Sequence, residues 1–393
     1  MHQPITTDVV IVGGGLVGAA LALALCDAAV SVALVEARAP QALPDDASWD
    51  NRIYAISPGS AQFLEQLHLW QALPVPRLAR IEAMAIYGDN GYARLDFNAY
   101  EAGLGQLAYI AENRVLQDSL WRALEAAPHV RLFCPMSCAA LRIEPEAVHL
   151  RLDDGTAINA QLIIAADGAH SWVRQQVGIQ AGDKNYRQLG VVANFATSLP
   201  HQGVAYQWFS PDGVLAYLPL PGNRISIVWS LQEDMAQDLL QLTPAALAER
   251  VAEAGGLRLG VLTLLSPAAA FPLHLIKTNE LIRPRVALVG DAAHQVHPLA
   301  GQGVNLGFAD AKALAGILAM RGERDCGDVY LLRRYARARS EEILAMQIVT
   351  DGLQRLFNRP QPMIGWVRNA GLAATNRLPW LKQQLLKQAL GHY

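Results

Sequence analysis

Val9-Val10-Ile11-Val12-Gly13-Gly14-Gly15-Leu16-Val17-Gly18, running on to Glu36, decides the fold. Asp8 to Val12 reads as a strand, Leu16 to Asp27 as a helix and Ser31 to Val35 as a second strand, which makes a βαβ opening. Between the first strand and the helix stands Gly13-x-Gly15-x-x-Gly18. The first glycine allows the turn, the second admits a pyrophosphate to the backbone, and the third lets helix and strand pack closely. Glu36, ending the second strand, can hold both hydroxyls of an adenosine ribose. A bare Gly-x-Gly-x-x-Gly is weak, but inside a βαβ unit it predicts dinucleotide binding without saying which dinucleotide. The same glycines, with Asp27, argue against a membrane-spanning reading of the apolar run 9–35.

A second stretch carries chemistry as well as shape: Val289-Gly290-Asp291-Ala292-Ala293-His294, then His297-Pro298-Leu299-Ala300-Gly301-Gln302-Gly303-Val304-Asn305-Leu306-Gly307. An apolar strand, Val286 to Val289, enters a loop crowded with Gly, His and Pro that opens onto a helix from about Val304 to Met320. Gly301 and Gly303 let backbone approach a ligand, and the helix start aims unpaired N–H groups at an electron-rich partner. Asp291, at a strand end, can accept hydrogen bonds from sugar-like hydroxyls. A flavin offers both features, since its pyrimidine edge gains negative charge on reduction and its ribityl chain carries hydroxyls. Gly-Asp alone would be a plain packing turn; the whole run Gly301 to Asp310 is far more specific.

Weaker signals lie between them. Asp167-Gly168-x-x-Ser171-x-x-Arg174 follows another apolar strand, with Ser171 as a helix cap and Arg174 as a fixed charge; by itself it could be an ordinary strand-to-helix corner. Arg52, in Trp49-Asp50-Asn51-Arg52, could line the cofactor crevice or be a solvated loop charge. Arg114, in Glu112-Asn113-Arg114, reads alone as a surface charge at a helix start. His294 and His297 have no third ligand at recognisable spacing, so no metal is expected. Neither a Ser-centred nucleophile elbow nor a metalloprotease helix is present, and no residue stands out as a catalytic acid, base or nucleophile.

The 393 residues suffice for two domains or one elaborated domain. With 52% apolar and 17% charged residues the chain is globular rather than disordered. A net charge of −3 gives no nucleic-acid signal. Its distribution is uneven: from Leu331 to Tyr393 ten Arg or Lys face three acidic residues, a tail of +7 that leaves −10 for everything before it. The four cysteines show no CxxC pattern and read as incidental thiols of a reducing compartment. No basic n-region precedes the first apolar run, so no signal peptide is expected.

Val148 to Leu152 and Ala157 to Gln161 alternate around Asp153-Asp154-Gly155, a hairpin signal. Ser57-Pro58 is a helix start, and Glu112 to Ala126 is helical in pattern. From Leu189 to Ser230 the pattern turns β-rich, and after Asp328 it is helical. The expected fold is α/β: a Rossmann-like βαβ domain from separated segments (1–75, 100–185 and 275–330), an inserted β-sheet substrate domain (76–99 and 186–274) and a C-terminal helical region (331–393).

Gly13 to Glu36, Asp167 to Arg174 and Gly290 to Asp310, in that order, resemble the FAD-dependent aromatic-ring monooxygenases. His297-Pro-Leu-Ala-Gly-Gln-Gly-Val-Asn-Leu-Gly-Phe-Ala-Asp310 is similar to the signature of the ubiquinone-biosynthesis hydroxylases, as are Tyr109 to Arg114 and Leu378 to Lys382. The resemblance spans the chain but is weak across 190–274. It implies FAD bound by Gly13, Gly15, Gly18, Glu36, Arg52, Arg114, Asp167, Asp291, Pro298, Gly301, Gln302, Gly303 and Asn305. It implies NAD(P)H as a transiently docking reductant, with Asp167 and Arg174 as candidate contacts, and oxygen delivery to an electron-rich phenol ring. The cofactor carries the hard chemistry, which fits the lack of an acid–base pair. The implied substrate is a polyprenylated phenol of ubiquinone biosynthesis, with Tyr206, Trp208, Phe209 and Tyr217 as candidate pocket lining. The alternatives are another aromatic substrate, or a flavin-binding assembly subunit with little activity. The basic segment Arg377 to Leu390 mixes Trp380, Leu381, Leu385 and Leu386 with Lys382 and Lys387, an arrangement suited to the inner face of the cytoplasmic membrane or to a partner in a quinone-biosynthesis complex. A homo-oligomer is possible.

Overall fold

The computed structural model describes residues 3–357, apart from 45, 47, 90–92, 211–212 and 296–302. Pro298, Gly301, Gln302 and the segment 377–390 therefore lie outside the described residues. The helices are α1 (Leu16–Ala24), α2 (Pro58–Gln66), α3 (Asn113–Glu125), α4 (Trp172–Gln176), α5 (Glu233–Leu240), α6 (Pro244–Ala254), α7 (Gly303–Ala319) and α8 (Val329–Phe357). Among the described residues no helix is long and apolar enough to cross a membrane.

The first sheet is parallel at its centre, in the order Val286–Leu288, Ala157–Ala165, Ile5–Val12, Val32–Val35, Val130–Phe133. Val9, Val10 and Ile11 have no exposed surface, because helices on one side and the Cys138–Ile143/Val148–Leu152 hairpin strands on the other cover both faces. Such double burial is why these strands read as continuous apolar runs. The expected Asp153-Asp154-Gly155 hairpin is present, and Gly155 takes φ +88° there. Its second strand runs straight on to Ala165, so the two strands expected at 157–161 and 162–166 are one element. Helix α1 packs on α3 and α7 through Ala19, Ala20 and Ala22, which are fully buried. It closes at Ala24, sooner than Asp27. Ser57 caps α2 by accepting the Ser60 N–H, and Pro58 opens it.

The second sheet runs Ala269–Thr278, Ala181–Thr197, Arg224–Gln232, Gly213–Leu220, Val204–Ser210, Ala83–Tyr87, Arg94–Asn98. Helices α5 and α6 cover one face of it, with Phe195, Ile227 and Val251 buried between them. Its other face turns towards the parallel sheet. Between the two, a small sheet of Ile53–Ile56, Ala108–Glu112 and Ala79–Ile81 forms a side wall. Helix α8 lies on α7 and fixes the far side of the parallel-sheet layer.

Candidate functional site

Three neighbouring parallel strands deliver their carboxyl ends, Val12-Gly13, Ala166 to Gly168 and Val289 to Asp291, to one crevice. Ligand sites of open parallel sheets form at such strand ends. Gly13 takes φ +108°, and a Cβ there would stand 2.3 Å from the Ala166 carbonyl oxygen. A Cβ on Gly18 would stand 2.0 Å from the Gly13 oxygen, so these two glycines serve close packing. Gly15 differs: among the described residues nothing lies within 4 Å of a Cβ built on it. It is the N-cap of α1, and among the described residues no side chain caps that helix, so the first-turn N–H groups form a ready anion site.

A cavity of about 880 Å³ opens from this point, bordered by Gly15, Gly168, Gly290, Asp291, Gly303 and Val304 on one side and by the second sheet on the other. Its volume falls within the range of small-molecule sites. Asp291 lies on its wall. Burial pushes the Asp291 carboxyl above the usual carboxylate range, partly offset by His294 and Arg52. Arg52 is exposed and stands 5.6 Å over the ring of Tyr54. Burial also raises the Tyr54 hydroxyl, against the pull of Arg52.

Glu36 closes on the turn, accepting the Gly14 N–H at 2.6 Å and the Arg38 N–H at 3.0 Å. Asp310 underpins the crevice from beneath. Fully buried, it accepts from the Gly290 N–H at 2.9 Å, lies 2.6 Å from His294 Nε2, and accepts from Arg339 Nε at 2.7 Å. Burial alone would push this carboxyl up, but His294 and Arg339 outweigh it and hold it below the usual range. Arg339 also pairs with Glu342, so α8 is tied through Asp310 to the turn that presents Asp291.

Other expected site residues are engaged differently. Arg114 pairs with the fully buried Glu112 at 3.0 Å and reaches Ser48; Glu112 also holds Arg77 at 2.7 Å and the Asp50 N–H at 2.7 Å. Arg114, which alone reads as a surface charge, is thus one of two cationic partners of a buried carboxylate, and the group braces the loop that carries Arg52. Asp167 accepts the Val173 N–H at 3.1 Å, at the start of α4. Arg174, a candidate contact for a docking nicotinamide, is only 7% exposed and donates to the Ala169 and Ala292 carbonyls at 2.7 and 2.8 Å. Asn305 joins α7 to the side wall, its Oδ1 accepting the Ser57 N–H and its Nδ2 donating to the Ala55 carbonyl. Of the four aromatic lining candidates Tyr206 borders the cavity. Trp208 stacks on Tyr87 and Tyr206, and the Tyr217 hydroxyl donates to the Val251 carbonyl in the core under α6. Strand alternation and register put Tyr206, Trp208 and Tyr217 together on the face that α5 and α6 cover, and Phe209 on the other.

Sequence reasoning missed Tyr54, Asn113, Gln117 and Gln207, which border the cavity. It also missed Asn194, whose buried amide donates to the Trp49 and Asp50 carbonyls and to Asn51 Oδ1. A buried Asn in a β-rich run is the one signal that pointed there.

The chain matches the FAD binding domain family over residues 6–350. It is 38% identical to the 3-demethoxyubiquinol 3-hydroxylase of Escherichia coli (strain K12), covering 99% of each chain. Against the ubiquinone hydroxylase UbiL of Rhodospirillum rubrum identity is 34%, over 98% of this chain and 89% of that one. In fold it resembles the crystal structure of Pseudomonas aeruginosa PqsL in complex with 2-aminobenzoylacetate, at a TM-score of 0.80 and 23% identity, covering 94% of this chain and all of the other. The residues present fit FAD: an uncapped helix start over the unobstructed Gly15 suits a pyrophosphate, and a carboxyl at a strand end suits a ribityl chain. With the family match and the near-full-length relatives in agreement, the chain belongs to the ubiquinone-biosynthesis hydroxylase family of FAD-dependent aromatic-ring monooxygenases.

Proposed function

We propose that this enzyme hydroxylates the aromatic ring of a polyprenylated phenol in ubiquinone biosynthesis, using FAD, NAD(P)H and molecular oxygen. The observation that carries this reading is the roughly 880 Å³ cavity whose floor is an apolar sheet and whose opposite wall is the glycine-lined crevice. FAD, when bound, takes electrons from NAD(P)H and activates oxygen. The protein's own part is to bind, orient and keep water out. In this reading Gly15 and the α1 N–H groups hold the pyrophosphate, Gly13 and Gly18 allow the turn and the close packing that present them, and Glu36 turns from Gly14 to the adenosine ribose. Asp291 holds the ribityl chain, while Arg52 and Gly303 flank the ring system. Asp167, Arg114 and Asn305 act one step back, by fixing the loops that touch the cofactor. Pro298, Gly301 and Gln302 complete the set from sequence alone.

The strands of 76–99 and 186–274 then form the substrate domain against the segments 1–75, 100–185 and 275–330. The basic 377–390 segment attaches the enzyme peripherally to the inner face of the cytoplasmic membrane, where a prenylated phenol resides. Purified, FAD-loaded enzyme should consume NAD(P)H and oxygen when given a prenylated phenol, with mass spectrometry finding one added oxygen in the product. Oxygen uptake that ignores the phenol would reject the assignment.

A further inference from the structure

The polarity of the large cavity is divided between its ends. Beside the crevice its wall carries Asn51, Arg52, Tyr54, Asn113, Gln117 and Asp291. At the other end Ile81, Met84, Phe97, Leu107, Ala205 and Leu218 supply the wall, and these six pack into one apolar cluster. The sheet register explains how this end is built. Phe97, Met84 and Ala205 are successive cross-strand partners on three adjacent strands, a strip of roughly 10 Å at the usual strand spacing. Two residues along, on the same face, Gln207, Ala216, Val228, Val192 and Ala269 form a second row through five strands, roughly 19 Å long. Apart from Gln207 its side chains are short and apolar, so the floor is a trough. Its Ala269 end reaches the segment where Ser266 Oγ and the Pro267 carbonyl bind Asn51, beside Arg52.

A ligand that is polar at one end and hydrocarbon at the other matches this division. A phenol hydroxyl buried without partners would be costly, so the ring belongs at the polar end. An isoprenoid chain has no hydrogen-bonding group to satisfy and gains from every apolar surface it covers. We infer that the end walled by Ile81, Met84, Phe97, Leu107, Ala205 and Leu218 is the isoprenoid-tail subsite, an inference that rests on the prenylated-phenol reading above. The ring lies beside Arg52 and Tyr54, the tail follows the trough across the sheet, and Ala205 is where it passes between Met84 and Leu218. Met84 and Phe97, which are only partly buried, mark where a longer chain leaves the protein.

The test is equilibrium binding, by calorimetry on FAD-loaded enzyme, of a phenol and of the same phenol carrying a farnesyl chain. Each buried CH₂ is worth about fourfold in affinity, so the wild type should prefer the farnesylated compound by at least about a hundredfold. Ala205→Trp fills the subsite with an indole. It should cut that preference at least about tenfold while FAD affinity and binding of the bare phenol stay unchanged. Leu218→Ala, which removes wall instead of adding to it, should cut the preference several-fold and keeps the test open where the Trp variant does not fold. A wild-type preference that survives in both variants overturns the subsite alone. A wild type with no preference for the farnesylated compound overturns the substrate reading and the subsite with it.

Discussion

Two glycines of one motif should fail in opposite ways when replaced by alanine. At Gly15 the backbone is at φ −66°, ψ −178°, which any residue adopts, and a Cβ meets nothing within 4 Å among the described residues. Gly15→Ala should leave the apoprotein about as stable as before, because the freedom lost by the unfolded chain, about 0.4–1 kcal/mol, offsets the poorer fit of alanine at an N-cap. Yet the methyl occupies the space above the α1 start that a phosphate needs. Losing one charge-assisted N–H bond costs about 1.5–3 kcal/mol, so FAD affinity should fall roughly ten- to a hundredfold. At Gly18 the added methyl would stand 2.0 Å from the Gly13 oxygen and 3.0 Å from the Ala166 Cβ. The helical gain of alanine over glycine, about 1 kcal/mol, is outweighed by overpacking of about 1–3 kcal/mol or more against backbone that cannot yield. Gly18→Ala should therefore lower the melting temperature of the apoprotein itself. Thermal melts of both apoproteins, with FAD titrations followed by flavin fluorescence, separate the two effects. An FAD affinity unchanged in Gly15→Ala, or an apoprotein unchanged in Gly18→Ala, would refute the assignment of phosphate approach to one and close packing to the other.

Removing one partner of the buried Asp310 cluster, as in Arg339→Met, should cost about 3–5 kcal/mol by leaving a buried charge uncompensated. Because the folded state holds the Asp310 carboxyl below its ordinary value, its contribution is present above the unfolded carboxylate pKa and is lost as pH falls through the lower folded value. Acid unfolding of Asp310→Asn should accordingly be less steep in pH than that of the wild type, and an identical acid limb would contradict the assignment. Asp291 runs the other way: burial raises its carboxyl, so ionising it opposes folding above the unfolded pKa, and that cost is relieved as pH falls through the raised folded value. Asp291→Asn apoprotein should therefore be more stable than wild type at neutral pH while retaining less FAD on gel filtration; lower apoprotein stability would count against it.

What was legible in the sequence was what short-range rules control. The glycines of 13–18, the Ser57-Pro58 helix start and the Asp153-Asp154-Gly155 hairpin each depend on a few neighbouring residues, and each stands where its chemistry put it. Pairings across long stretches of chain were not legible. Glu112 at a helix start has the pattern of a surface charge, and only the arrival of Arg77 from 35 residues away makes it a buried carboxylate. Arg174 likewise looks like a free cation until the Ala292 carbonyl, 118 residues on, takes one of its donors. Alternation along 204–210 says that Tyr206 and Trp208 share a face but not which face meets the cavity. That is set by helices α5 and α6, which claim the opposite side of the sheet.

The loop 48–52 is where these long-range pairings meet, and it explains how the two halves of the site are kept in register. From the parallel-sheet side it is held by Glu112 and Arg114 at the start of α3. From the second sheet it is held by Asn194 and Ser266. Arg52 thus borders the cavity on a segment braced by both layers, with neither layer alone fixing its position. A binding site between two sheets needs such a brace, because in the proposed reading cofactor and substrate rest on separate layers that would otherwise shift against each other by the flexing of their connections. The Asp310 cluster does the same on the opposite wall, where α8 fixes the turn that presents Asp291. The chemistry depends on two reactants held at a short, constant separation, and the buried charges of this protein are spent on keeping the walls in place.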